Sequence, residues 1–434
     1  MKSFEKYESE VRSYCRSYPT VFNKAKNEFM VNEEGEKYID FFCGAGSVNY
    51  GHNNDYIKAK ILDYIMDDGI MHSLDMYTSA KRDFIDFFEE KVLIPRDLDY
   101  KLQFVGPTGA NAVEAAVKLA RKVTGRTEIF ALMGAFHGMT LGSLALTSDR
   151  DGRAAAGVPL NNVTHIPAPY MFPELDTIKY IETLLSDDHS GVAKPAAIVI
   201  ETIQTDGGVY PLEVEYLQKL SKLCKDNEIL LIVDDIQCGC ARSGWFFSFE
   251  RAGIKPDMVT VAKSIGAYGF PFSLVLLKPE IDKWAPAEHT GTFRGNQIAI
   301  VAAKAGLEFM LEKEIEKETK RKGEIVKNFM EKEIKPLHEK IQTRGIGLLW
   351  GIDFNEVGEI SKDLVAKCFE NKLIAERAGR NNNVLKIMPA LTISDESLLN
   401  GLNIIKNSIL ELLYPEKIIT NMMFSNLENK ATAK

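Results

Sequence analysis

Short, mostly apolar runs recur through the middle of the chain, each ending in a polar or glycine-marked turn. They are Leu102–Val105, Ile129–Leu132, Val163–Ile166, Ala197–Glu201, Leu230–Asp234, Met258–Ala262 and Ser273–Leu277. Between most of them lie stretches with apolar residues three and four apart, long enough for a helical crossover. Runs this short without polar alternation fit strands covered on both faces, so the pattern predicts an α/β fold whose core is a mostly parallel seven-stranded sheet with helices on both faces. Only ten residues separate Ala262 from Ser273, too few for a helix and its loops, so the last two strands are expected to be antiparallel. In a sheet of this kind ligands bind at the carboxyl ends of the parallel strands.

Beyond the last run the pattern changes. Glu312-Lys-Glu-Ile-Glu-Lys-Glu-Thr-Lys-Arg-Lys alternates in sign, as a solvated helix face does. It leads into strands expected around Gly347–Phe354 and Val384–Ile387 and a helix near Glu396–Leu413. The predicted organisation is an N-terminal segment 1–55 that joins a smaller α+β domain, a large ligand-binding domain 56–312, the smaller domain 313–420 and a polar tail 421–434.

Composition narrows the function. The chain has 434 residues, 45% of them apolar and 26% charged, with a net charge of −8, so it has enough apolar material for two domains and no basic excess for a nucleic-acid face. No run approaches the ~18 to 20 apolar residues of a membrane helix, and the first residues lack the apolar core of a signal peptide, so a cytoplasmic protein acting on small molecules is expected. The cysteines at 15, 43, 224, 238, 240 and 368 have neither metal-site nor framework spacing; free thiols and no metal are expected.

The strand ends carry the candidate chemistry. Lys263 closes the apolar run from Met258 and opens the turn Lys-Ser-Ile-Gly-Ala-Tyr-Gly; a lysine desolvated in such a turn is nucleophilic at neutral pH, whereas one that reaches solvent is an ordinary surface residue. Asp234 and Asp235 close another buried run, where a carboxylate is costly unless a cation meets it. Either a structural ion pair or a protonated pyridine nitrogen would serve. Gly106-Pro-Thr-Gly-Ala-Asn opens a helix expected at Ala112–Thr124, and its backbone N–H groups either cradle a phosphate or bind nothing. It has neither the third glycine of a dinucleotide fingerprint nor a Walker lysine. Phe136 and His137 follow a further strand, as ring-stacking residues or as core, and Ile236 shares a strand face with Asp234 while Gln237 lies beside it.

Taken together, Asp234-Asp-Ile-Gln, Lys263 in its Ala-Lys-Ser-Ile-Gly turn, Thr108-Gly-Ala-Asn-Ala-Val-Glu-Ala-Ala, Phe136-His-Gly and Gly291-Thr-Phe resemble the class III pyridoxal-phosphate aminotransferases, a fold-type I family, over about Tyr38 to Leu413. Four stretches outside these motifs, beginning at Glu8, Leu98, Ala155 and Phe246, are similar to the diaminobutyrate branch of that family. The resemblance implies pyridoxal 5'-phosphate as cofactor, Lys263 as its covalent anchor and proton shuttle, and Asp234 at the pyridine nitrogen. It also implies phosphate binding by Gly109 and Ala110, ring contacts from Phe136, His137 and Ile236, and Gln237 at the phenolic oxygen. Thr292 would complete the phosphate site from a neighbouring subunit, which implies a homodimer or larger assembly. For substrate, it implies Glu201 paired with a cation near the C-terminal strand. Lys386 stands there in place of the usual arginine, Arg294 is a further candidate, and Gln204-Thr-Asp-Gly-Gly departs from the family's Gln-Gly-Glu-Gly-Gly. The implied reaction joins an amino donor and 2-oxoglutarate. Other ω-amine donors, an aminomutase or a catalytically silent cofactor-binding protein are the alternatives.

Overall fold

The computed structural model describes residues Lys2–Glu416; the tail expected at 421–434 lies outside them. Seven strands form the central sheet: β1 Lys101–Phe104, β2 Ile129–Leu132, β3 Val163–Ile166, β4 Ala197–Ile200, β5 Leu230–Asp234, β6 Met258–Val261 and β7 Leu274–Leu277, in the spatial order β1-β7-β6-β5-β4-β2-β3. β2 to β6 run parallel to one another, and β7 runs antiparallel to both β6 and β1. Each predicted run lies within a residue of its strand at both ends. β2, β4, β6 and β7 are buried at every position, which is why they read as continuous apolar runs, while β1 at the edge is exposed or half-buried throughout.

The helix α1, Gly109–Thr124, packs against the sheet. Thr108 caps its start by accepting the Asn111 N–H, and Gly125, at φ 68°, ends it in the left-handed conformation that glycine adopts without a Cβ clash. The face it turns inward is built from Ala112, Val113, Ala115, Ala116, Leu119 and Ala120, and the small side chains let the helix axis approach the strands closely. Truncating fully buried Leu119 to alanine there removes contacts worth about 2–5 kcal/mol.

Two further four-stranded sheets complete the molecule. One is antiparallel throughout and contains Gln342–Ile346, Leu349–Asp353, Val384–Ile387 and Glu376–Ala378. The other is an N-terminal meander, Phe22–Lys26, Phe29–Asn32 and Lys37–Asp40, to which Leu373–Ile374 adds in parallel. The charge-rich segment forms the helix Ile315–Phe329, with Ile315, Thr319, Gly323, Val326 and Phe329 inward. Outward-facing Arg321 reaches both carboxylate oxygens of Asp395 at 2.8 and 2.7 Å, at the start of the last helix, Asp395–Leu413. The cysteines are unpaired, and among the described residues no helix is long and apolar enough to cross a membrane.

Candidate active site

The carboxyl ends of β2, β4, β5 and β6, with the turn after β1, converge on a cavity of about 370 Å³, within the range of small-molecule sites. Lys263 and Asp234 both line it, together with Gly109, Ala110, Phe136, His137, Glu201, Ile236 and Gln237.

Lys263 sits at φ 53° in the turn directly after β6, a left-handed conformation that costs a non-glycine residue on the order of 1 kcal/mol or more. A buried clamp holds it there. The Ser264 hydroxyl donates to the Gly46 carbonyl at 2.6 Å and accepts from the Asn49 N–H at 3.3 Å, and Arg242, itself fully buried, donates to Asn49 Oδ1. Among the described residues the Lys263 amine meets neither a hydrogen-bond acceptor nor an ion-pair partner. Burial lowers its pKa, and the charge of Asp206 opposes that shift. A desolvated amine of this kind exists in part as the neutral nucleophile at neutral pH.

The two carboxylates at the end of β5 diverge, as successive strand residues must. Asp234 turns to the cavity: Oδ2 accepts from His137 Nδ1 at 2.7 Å, and Oδ1 accepts from the Thr260 hydroxyl at 3.1 Å and the Ile236 N–H at 3.2 Å. Asp235 turns away and accepts from the Ser248 N–H at 3.0 Å and the Ser248 hydroxyl; burial pushes its carboxyl up to about 7. For His137, burial disfavours the imidazolium, but the hydrogen bond and charge of Asp234, with Glu201 behind it, prevail and raise its pKa. His137 thus backs the cavity carboxylate.

α1 presents its N-terminus to the same space. A Cβ on Gly109 would stand 2.9 Å from Ile236 Cδ1, so glycine leaves room for that side chain beside the free N–H groups of the first turn. Phe136 is 37% exposed, a large ring left open at the cavity edge. Gln237 is fixed by donating to the Ala45 carbonyl at 2.9 Å and accepting from the Thr205 hydroxyl. A helix N-terminus, an open aromatic face, a hydrogen-bonded carboxylate and an unpartnered amine in one cavity fit a planar heteroaromatic ring that carries a phosphate and an electrophilic carbon.

The expected substrate contacts fare differently. Glu201 lines the cavity, but it accepts from the Phe136 N–H at 2.9 Å and the Thr205 N–H at 3.4 Å, pairs with no lysine or arginine among the described residues, and is pushed up to about 8 by burial. Lys386 does not line the cavity. It is locked between Glu376 at 2.7 Å and Asp206 at 3.1 Å, so the carboxylate it faces across the site is Asp206 instead of Glu201. Arg294 is paired with Asp75 and donates to the His289 carbonyl at 3.2 Å, away from the cavity. Thr292 is exposed, with its carbonyl against His72 Nε2 at 2.7 Å, and does not line this chain's cavity. Sequence reading marked Thr205 and Asp206 only as part of a loop that departs from the family pattern, without a role for either, and passed over Phe270; all three line the cavity.

The model of the family described as aminotransferase class-III matches residues 13–409. The chain is 49% identical over 421 residues to the diaminobutyrate--2-oxoglutarate transaminase of Halalkalibacterium halodurans, covering 96% of this chain and 98% of that protein. It is 50% identical over 408 residues to the protein of the same name from Nocardia farcinica, covering 94% and 93%. Among solved structures, the ornithine aminotransferase of Toxoplasma gondii superposes with a TM-score of 0.82 at 24% identity over 94% of this chain and 93% of that one. An S-selective transaminase from Arthrobacter sp. does so with a TM-score of 0.85 at 24% identity over 96% and 98%. The fold, the residues gathered on the cavity and near-full-length matches to known transaminases agree: this chain belongs to the class-III aminotransferase family.

Proposed function

We propose that the chain transfers an amino group from L-2,4-diaminobutyrate to 2-oxoglutarate, giving L-aspartate 4-semialdehyde and L-glutamate, and runs the reverse reaction in the same alternating fashion. The observation that carries the reaction type is the pairing of Lys263 and Asp234 on one cavity. The donor is supported by relatives of 45–50% identity whose names specify it.

Pyridoxal 5'-phosphate, when bound, supplies a cationic ring that accepts the electrons released at the amine-bearing carbon of the donor. Gly109 and Ala110 would hold its phosphate through backbone N–H groups at the start of α1. Phe136 and Ile236 would bound the ring, and Gln237, fixed by Ala45 and Thr205, would serve its phenolic oxygen. Asp234 would meet the ring nitrogen and favour its protonated form, and His137 and Thr260 hold that carboxylate in place. Lys263 Nζ would anchor the cofactor and, once displaced by the donor, would take the proton from the donor's amine-bearing carbon and hand it to the cofactor. Glu201 in its neutral form fixes the Phe136 backbone.

The second part of the proposal is a homodimer with shared sites. Met66, Ile70, Met76, Tyr77 and Phe293 are 82, 55, 60, 101 and 63% exposed, and the two segments that carry them meet through the His72–Phe293 ring contact at 5.5 Å. A second copy on this face would cover an apolar patch of a kind monomers seldom expose and would bring Thr292 to the partner's phosphate site. Residues 56–312 would then form the cofactor domain, with 313–420 and the N-terminal segment forming the smaller one.

An amine-donor panel with 2-oxoglutarate as acceptor tests the function. L-2,4-diaminobutyrate should give the highest kcat/KM. Preference for taurine, β-alanine, 4-aminobutyrate or ornithine would displace the donor, and turnover without any 2-oxo acid would displace amino transfer in favour of an aminomutase.

A further inference from the structure

Two carboxylates share one buried cation beside the cavity. Lys386, with 1% of its side chain exposed, places its ammonium 2.7 Å from Glu376 and 3.1 Å from Asp206. Glu376 and Lys386 are directly opposed across two antiparallel strands, so register holds that contact. Asp206 arrives from the loop after β4, where its carbonyl accepts the Gly379 N–H at 2.8 Å. One positive charge against two negative ones leaves a negative charge in excess. Glu376 is the closer and more buried partner, at 13% exposure, whereas Asp206 is 37% exposed and lines the cavity. The excess therefore falls on the cavity wall.

The other carboxylates there are already engaged. Asp234 accepts from His137, Thr260 and Ile236, and Glu201 accepts two backbone N–H groups and is buried enough to favour its neutral form. Among the described residues that line the cavity, Lys263 is the one ammonium or guanidinium, and its amine is the group the reaction occupies. Although burial opposes it, Asp206 is held ionised by Lys386 and Lys263. What remains on the wall is a carboxylate that shares its cation, Lys386, with Glu376.

We propose that Asp206 is the specificity determinant for donors with two amino groups, its carboxylate pairing with the ammonium that does not react. The inference rests on the amine-transfer reading of the cavity. It also gives a physical reason for the choice of donor, because 2,4-diaminobutyrate is 4-aminobutyrate with one additional ammonium, on C2.

Two matched donor pairs test it in the cofactor-loaded enzyme: 2,4-diaminobutyrate against 4-aminobutyrate, and ornithine against 5-aminopentanoate, each with 2-oxoglutarate. The native chain should favour the diamine in at least one pair. Asp206→Asn should lower that diamine-to-monoamine ratio of kcat/KM roughly tenfold or more, mainly through the diamine's KM, and Asp206→Glu should restore most of it. Glu376→Gln leaves Lys386 matched by Asp206 alone, so it should lower the same ratio from outside the cavity, and it carries the test if Asp206→Asn does not fold. Equal losses on both members of a pair would make Asp206 a structural residue and overturn the proposal, as would a native chain indifferent to the second amino group. An Asp206-dependent preference confined to ornithine would support Asp206 while overturning the donor proposed above.

Discussion

Asparagine at position 234 would remove one charge and almost no volume, which makes it a clean probe of the cavity carboxylate. Asp234 Oδ1 keeps its acceptor role toward Thr260 and Ile236 as an amide oxygen, so those bonds at 3.1 and 3.2 Å survive. The bond to His137 Nδ1 at 2.7 Å does not survive unchanged. A charge-assisted hydrogen bond contributes about 1.5–3 kcal/mol and a neutral one about 0.5–1.5, so that bond alone loses about 1–2 kcal/mol. With an amide N–H facing it, His137 must accept at Nδ1 and carry its proton on Nε2, a buried atom without a partner among the described residues. The loss depends on pH in a definite sense. In the native chain the His137 pKa is raised by Asp234 against the effect of burial, so its contribution to stability is complete below the ordinary histidine value of about 6.5 and is lost as pH rises through the raised value. The gap between native and Asp234→Asn proteins, read from urea unfolding midpoints of the cofactor-free chain at one protein concentration, should be widest near pH 5.5 and narrow by pH 9. Turnover of the loaded variant should fall about a hundredfold or more, since the ring nitrogen loses its counter-charge. A gap independent of pH, or unchanged turnover, would refute both the His137 coupling and the role given to Asp234.

Gly109→Ala should separate stability from binding: alanine in the first turn favours the helix by about 0.5–1 kcal/mol, yet its Cβ would press on Ile236 Cδ1 from 2.9 Å, so the melting temperature should hold or rise while the dissociation constant for pyridoxal phosphate increases; tighter binding would contradict the cradle. Glu201→Gln should retain the bond from the Phe136 N–H. Because burial raises the native carboxyl to about 8, the native chain loses stability as pH climbs from about 4.5 toward 8 and the glutamine variant does not, a difference on the order of 4 kcal/mol at most. Parallel pH–stability curves would show that Glu201 is ionised in the folded chain.

Much of the central sheet was legible because its strands are covered on both faces: an uninterrupted apolar run has one reading when it is four or five residues long and ends in a turn. The antiparallel β7 followed from the length of one gap. The N-terminal meander was not legible. Phe22–Lys26 is exposed or half-buried without a regular alternation, and its sheet is completed by Leu373–Ile374, from the far end of the chain. At the site, strand ends located the candidates, and strand parity separated Asp234 from Asp235 once the faces were known. Which carboxylate meets Lys386 depends on the cross-strand register of Glu376 and on the path of the loop after Gln204, and neither leaves a local pattern. Glu201 and Asp206 sit five residues apart in one loop, and only the fold distinguishes the one that accepts backbone N–H groups from the one that faces the lysine. The left-handed backbone of Lys263 is likewise imposed from outside, by Ser264, Asn49 and Arg242.

The central claim is that one lysine of this chain, Lys263, carries the cofactor. Reducing the pyridoxal-phosphate-loaded protein with borohydride, digesting it and locating the modified residue by mass spectrometry tests that claim directly. The account predicts a single pyridoxyl adduct on Lys263, absent when diaminobutyrate is added before the reductant and absent in Lys263→Ala. An adduct on another lysine, or none in a protein that still transfers amino groups, would contradict it.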